Sequence, residues 1–231
     1  MTPETLAQVM AATWPPARAW ACGPFTLRDG AGGGKRASAA SCDGPWSAAD
    51  LDAALAQMAD PVFMIRPGEA ALDGALAVRG FRVVDLVVIY SSPVASVQGE
   101  LPLLAAFPHW PPLEIARSIW HDGGVTADRV AVMDRVIGPK TALLTRLGDR
   151  SAGVAFVAMT GTEAMLHAVE VRLSQRRQGA GATLLRAAAN WAAAAGATRL
   201  SLAVTEQNLA ARALYTRAGM QAVGQYHYRM R

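Results

Sequence analysis

The segment from Glu163 to Val204 restricts the architecture more than any other part of the chain. Glu163 to Val171 reads as a strand, the turn RRQGAGATLL (Arg176 to Leu185) follows, and a helix from Ala180 to Ala195 is closed by Gly196. In that helix Leu184, Ala188, Trp191 and Ala195 fall at i, i+4, i+7 and i+11, one apolar face that needs a sheet to cover it. Leu200, Leu202 and Val204 then alternate as a half-buried strand does. Strand, glycine turn, one-sided helix and strand make a layered α/β unit.

The rest of the chain extends this pattern. Pro3 to Thr13 reads as a helix capped by Thr2, Phe25 to Arg28 and Arg36 to Ser41 as short strands, and Ser47 opens a helix through Met58 with Asp50 completing a capping box. Val62 to Ile65 reads as strand, Glu69 to Val78 as helix, and Phe81 to Tyr90 as a β-branched strand. Ser91 to Pro112 carries Pro93, Pro102, Pro108, Pro111 and Pro112, so helix cannot persist there. This stretch divides the chain into 1–100 and 101–231. Beyond it come helices at Leu113–His121 and Ala127–Val136, strands at Thr141–Leu147 and Ala152–Met159, a helix at Leu209–Ala218 and a closing strand pair. "LAVRGF", Leu76 to Phe81, echoes "YTRAGM", Tyr215 to Met220, so a duplicated half-domain is carried as a reading.

Composition excludes several classes. The chain has 231 residues, which fits one large domain or two small ones, and 52% are apolar, ample for a core. No apolar run reaches the roughly 18 residues of a membrane span. The first residues, MTPETLAQVMAATW, lack the basic stretch and apolar core of a signal peptide, and Cys22 and Cys42 suit reduced thiols, so a cytoplasmic protein is expected. A net charge of +4, carried on dispersed arginines without interleaved aromatics, gives no nucleic-acid stripe. The cluster Arg172, Arg176 and Arg177 suits a small polyanion better.

Two phosphate loops fail against the sequence. Gly30 to Arg36 (GAGGGKR) puts arginine where a Walker loop needs a hydroxyl, and Gly32 to Gly34 read as a flexible hairpin turn. Gly179-Ala-Gly181 is followed by Ala182-Thr183-Leu184, which breaks the dinucleotide fingerprint. What remains is Arg176-x-x-Gly179-x-Gly181 between a strand and a helix. Amides entering a helix there form an anion pocket, the two glycines let phosphate oxygens approach, and Arg176 and Arg177 add charged donors.

The run LHAVEVRLSQRRQGAGATLL resembles the acyl-CoA-binding motif of the GCN5-related N-acetyltransferase superfamily, a strand, then [QR]-x-x-G-x-[GA], then a helix. NLAARALYTRAGM, Asn208 to Met220, is similar to the family's N-x-x-A-x-x-L-Y-x-x-x-G-F, with Met220 in place of Phe. The resemblance covers Leu166 to Met220. It implies a mixed, mostly antiparallel sheet flanked by helices (α/β, or α+β), with the first half a degenerate copy that binds no coenzyme. It implies acetyl-CoA as co-substrate, no metal, and an amine acceptor that is a small molecule or peptide, handled by a monomer or homodimer. The coenzyme would be held by Val169, Glu170, Val171, Arg176, Arg177, Gln178, Gly179, Ala180, Gly181, Ala182 and Asn208. Glu170 stands where the family has a small apolar residue, so it either opposes the coenzyme or faces away from it.

By the same resemblance Tyr215 is the general acid that protonates the leaving thiolate, and an N–H near Val169 holds charge on the acyl oxygen. Two-residue alternation puts Glu163, Met165, His167, Val169 and Val171 on one strand face. LHAVEV resembles the arylalkylamine acetyltransferases, where a histidine in this place serves as base, and that resemblance makes His167 the first candidate and Glu163 the second. PPLEIARSIW would wall the acceptor site, with Trp110 and Trp120 as core residues or acceptor contacts. The rival reading is a non-catalytic acyl-CoA-binding regulatory module. Acceptor identity does not follow from the fold.

Overall fold

Residues 2–231 are described by a computed structural model. In chain order the elements are α1 (Pro3–Thr13), β1 (Arg18–Cys22), β2 (Phe25–Asp29), α2 (Lys35–Ser38), β3 (Ser41–Cys42), α3 (Ala48–Ala56), β4 (Val62–Ile65), α4 (Ala70–Val78), β5 (Arg82–Pro93) and β6 (Ala106–His109). There follow α5 (Glu114–Asp122), α6 (Ala127–Asp134), β7 (Lys140–Leu147), β8 (Arg150–Thr160), β9 (Glu163–Val171), α7 (Ala180–Ala194), β10 (Arg199–Thr205), α8 (Leu209–Arg217) and β11 (Gln221–Met230). Helix starts follow local chemistry: the Thr2 hydroxyl accepts from the Thr5 N–H, and Ser47 and Asp50 close a reciprocal capping box at α3.

Eight strands form one sheet in the order β4-β11-β5-β10-β9-β8-β7-β6, and β1, β2 and β3 form a small second sheet. Every neighbouring pair in the large sheet is antiparallel except β9 and β10. The mixed, mostly antiparallel architecture is therefore the one implied by the sequence. The division at residue 100 is a boundary in sequence that the sheet crosses, because β5 lies hydrogen-bonded between β10 and β11. In the proline-rich stretch, Pro108 sits on β6, the outermost strand, where a missing N–H is tolerated.

Helices cover both faces. On one, Leu184, Leu185, Ala188 and Ala192 of α7 pack on Val157, Leu166, Leu200 and Leu202. On the other, Ile119, Trp120, Val130 and Met133 pack with Trp14 and Phe156. A third cluster, with Phe25, Leu27, Phe63 and Phe81, joins the small sheet to β4.

Three local expectations are corrected. The expected stripe on α7 holds at Leu184 and Ala188 and fails toward its end: Ala195 is exposed and Trp191 half-buried, while Leu185, Ala189 and Ala192 are buried beside it. Arg36 to Ser41 is not a strand, since Lys35–Ser38 form one helical turn before β3, and β1 was not foreseen. The Gly32–Gly34 turn is no free hairpin. Gly33 is buried against α6, where a Cβ would overlap Val132, and Gly34 turns the chain at φ +87°.

Candidate active site

β9 and β10 pair only from Arg199↔Glu163 to Leu202↔Leu166, while β9 runs on to Val171 and β10 to Thr205. Beyond Leu166 the two parallel strands diverge and leave the edge of β9 open on that side. A β-bulge marks the same place: pairing with β8 slips between Val154 and Phe156, and Ala168 adopts φ +47°. Trp120 holds this bulge by donating its indole N–H to the Ala168 carbonyl at 2.7 Å. A trans peptide points its C=O and N–H in opposite directions, so the Val169 N–H is turned away from α5.

The bulge breaks the expected alternation. His167 lies among Trp14 and Phe156, with ring centroids 5.0 and 6.1 Å away, and Glu170 abuts Gly123 at the end of α5. Val169 and Val171 pack instead with the α7 cluster. His167 and Glu170 thus face α1 and α5, not the face that Val169 and Val171 share. This resolves the position of Glu170, whose side chain points away from the face of the two valines.

After β9 the chain makes a short 3-10 turn, Leu173–Gln175, then reaches Arg177 at φ +64° and Gly179 at φ +91°. Arg176 Nε donates to the Val171 carbonyl (3.2 Å), and Gln178 Nε2 to that of Ser174 (3.0 Å). No side chain caps α7, so the first amides of a 15-residue helix stay free, with the positive end of the helix dipole behind them. A Cβ at Gly181 would come within 3.1 Å of Leu214 Cδ2 on α8. Asn208 caps α8 through its Oδ1, which accepts from the Ala211 N–H at 3.1 Å.

The divergence of β9 and β10 opens into a cavity of about 1050 Å³. His167, Val169, Glu170, Val171, Arg176, Arg177, Gly179, Ala180, Gly181, Ala182, Asn208 and Tyr215 all line it. Of the coenzyme and catalytic residues expected from the sequence two do not: Gln178 is exposed outside it, and Glu163 stands at the far end of β9. Arg172 and the expected acceptor wall PPLEIARSIW are also absent from the lining, with Trp110 and Trp120 packed in the core cluster of α5 and α6 instead. The cavity also reaches residues without a motif to announce them, notably Trp14, Arg36, Arg129, Tyr226 and Tyr228. Nothing local in the sequence announces them, and the glycines before Arg36 read as a flexible hairpin turn.

The electrostatics differ sharply from group to group. His167 is 4% exposed; its Nε2 meets Thr13 Oγ1 at 2.9 Å, and its Nδ1 meets Arg36 at 3.1 Å. The Thr13 hydroxyl donates to the Val9 carbonyl (2.7 Å), so it accepts from Nε2–H, and Nδ1 accepts from the guanidinium. Burial, then the charges of Arg36 and Arg129, push His167 well below its ordinary pKa. Glu170 moves the other way, raised by burial against the opposing pull of Arg176 and Arg129. The Tyr215 hydroxyl, 5% exposed as a residue, is pushed up to about 12 by burial and by the Glu170 charge.

A stability prediction follows from His167. The unfolded chain binds a proton on this ring near 6.5 and the folded chain does not, so stability is lost as pH falls below 6.5, by at most about 1.4 kcal/mol per pH unit. His167→Gln keeps one acceptor and one donor. Urea titrations at descending pH are expected to show a shallower loss for this variant, and identical slopes would contradict the assignment.

Comparison with known proteins now bears on this geometry. Residues 113–220, from α5 to the end of α8, match the model of the "Acetyltransferase (GNAT) family". This part of the chain belongs to the GNAT family. The Bacillus subtilis (strain 168) protein described as "Uncharacterized N-acetyltransferase YobR" is 24% identical over 97% of this chain and 96% of its own. A GCN5-related N-acetyltransferase from Kribbella flavida superposes with a TM-score of 0.73 at 19% identity, over 98% of this chain and 94% of that one. A tandem GNAT protein from the clavulanic acid biosynthesis pathway gives 0.60 at 15% identity, over 90% and 77%. At these identities the solved structures show the fold alone, over nearly the whole length of the chain. Among the described residues no helix is long and apolar enough to cross a membrane, and no group of three His, Cys, Asp or Glu side chains is placed to hold a metal.

Proposed function

We propose that the protein transfers an acetyl group from acetyl-CoA to a primary amine, by direct attack with both substrates bound. The observation that carries this is the junction of the open β9 edge with the uncapped start of α7. The edge offers the Val169 backbone and the Val171 N–H to the amides of the pantetheine arm, the Val171 carbonyl being engaged by Arg176, and the amides of Gly179 to Ala182, with Arg176 and Arg177, suit its diphosphate. Asn208 closes the same side of the cavity. Acetyl-CoA supplies an activated thioester; the chain supplies position and charge.

In the reaction the amine nitrogen bonds to the acyl carbon, the carbon–sulfur bond breaks, and the amine's proton must leave. His167 is poorly placed to take it, since a guanidinium already occupies its Nδ1 lone pair. Glu163 lies outside the cavity. Glu170 lines it and binds protons more readily than an ordinary carboxylate, so we assign the base to Glu170. The Val169 N–H, freed by the bulge, holds negative charge on the acyl oxygen. Tyr215 stays protonated throughout the neutral range and donates to the departing thiolate.

A thiolate of pKa about 8.5 leaves tolerably on its own, so Tyr215→Phe is expected to lower kcat by about a hundredfold or less, at unchanged coenzyme affinity. An unchanged kcat would remove Tyr215 from the reaction. The function itself is tested by following free thiol from acetyl-CoA across a panel of amines. Amine-dependent release supports it; coenzyme binding without release on any amine points to a regulatory module instead.

A further inference from the structure

The half of the cavity away from the glycine turn is built from the first forty residues, α6 and β11, and it is cationic. Arg36 keeps some exposed surface, but its guanidinium is enclosed; one terminal nitrogen donates to His167, and its Nε has no partner. Arg129 lies with its guanidinium carbon 6.0 Å from the centre of the Trp14 ring, and its Nε is also buried and unpartnered. Neither arginine forms an ion pair among the described residues. The Asp85 carboxylate that shares the cavity is engaged by Lys35 at 2.7 Å, and Glu170 is the remaining acid in the lining. Tyr226 and Tyr228 put their hydroxyls beside Arg36, and burial pushes the Tyr228 hydroxyl well above its ordinary pKa, so it is no counterion.

Two enclosed guanidiniums without counterions are costly, and a ligand anion offsets that cost. Their closeness is evident in Arg129, whose pKa is lowered by burial and then by the charge of Arg36. Guanidinium forks favour planar, bidentate acceptors. Glu170, on the β9 side of the same space, complements a cationic nitrogen. The cavity therefore presents two positive groups and one negative group to whatever enters it.

We propose that the acceptor is an amine that also carries a carboxylate, an amino acid in the broad sense, with Arg36 and Arg129 holding the carboxylate and Glu170 facing the amine. This rests on the acetyltransferase reading for its chemistry, but the anion subsite itself is a matter of binding. It also gives the glycine turn a purpose. Gly33 lets the backbone of the Gly32–Gly34 turn pass close beneath α6, where a Cβ would overlap Val132, and so brings Arg36 to the cavity.

The test is calorimetric titration of the full chain, with bound coenzyme A, against the common L-amino acids, their amides, the corresponding decarboxylated amines and matched aminoalkyl phosphates. At least one amino acid is expected to bind on the order of a hundredfold more tightly than its amide and its decarboxylated amine. Arg129→Gln and Arg36→Gln should each abolish that preference while leaving coenzyme affinity unchanged; Arg129→Gln keeps the test decisive if the loss of Arg36 unfolds the chain. Equal binding of acid and amide, a preference for the phosphate, or no binding by any amino acid would overturn the proposal. Arginine-dependent binding of an amino acid that, with acetyl-CoA in place of coenzyme A, releases no thiol would leave the subsite standing and overturn the acetyltransferase reading instead.

Discussion

Glu170→Gln is expected to lower kcat/KM for the amine by about 10²- to 10⁴-fold, with coenzyme affinity nearly unchanged. Glutamine keeps the size of the side chain that packs against Gly123 and removes only its capacity to take up a proton. Burial raises this carboxyl above the ordinary range, and the charges of Arg176 and Arg129 limit the rise. The wild-type rate should therefore fall as pH drops through a value above that of an ordinary glutamate, as the carboxylate becomes protonated, and the variant should lack this acid limb. Tyr215 adds no limb near neutrality, because its hydroxyl ionises only at about 12. A variant that retains both rate and limb would place the base elsewhere.

Replacing Gly179 and Gly181 together by valine is expected to weaken coenzyme binding by about a hundredfold or more, as two or more charge-assisted hydrogen bonds are lost. The two positions fail for different reasons. Gly179 has open space around it but sits at φ +91°, which an L side chain adopts at a cost of about 1–2 kcal/mol. Gly181 has ordinary backbone geometry, but a Cβ there would crowd the Leu214 side chain at 3.1 Å, which must give way to admit the larger residue. Both side chains would also cover the free amides at the start of α7. Circular dichroism and urea unfolding separate this effect from loss of fold, since neither glycine lies in the core. Unchanged affinity in a folded double variant would refute the diphosphate assignment.

The parts of the site legible in the sequence are those held by local geometry. Gly179, Gly181 and Asn208 act where they stand, at helix starts, and their spacing along the chain is the spacing in space. The β9–α7–β10 layer was readable for the same reason. What escaped is what long-range packing decides. Period-two alternation put His167 and Val169 on one face, but the bulge that Trp120 fixes from α5, 48 residues earlier, separates them. The two contacts on which we pass over His167 as the base, Thr13 and Arg36, lie 154 and 131 residues away in sequence. The short α2 turn read as strand because its conformation comes from passing beneath α6, which no local propensity encodes. Likewise the proline-rich segment holds no α-helix, as its prolines require, yet β5, which runs into it, and β10 after it are neighbours in one sheet.

The most direct test of the whole account is titration of the intact protein with coenzyme A, dephospho-coenzyme A and pantetheine. One equivalent of coenzyme A should bind, dephospho-coenzyme A should retain most of the affinity, and pantetheine, which lacks the diphosphate, should bind at least about a hundredfold more weakly. Pantetheine binding as tightly as the coenzyme would contradict the account at its root, and a second equivalent would contradict a single site in the second half of the chain.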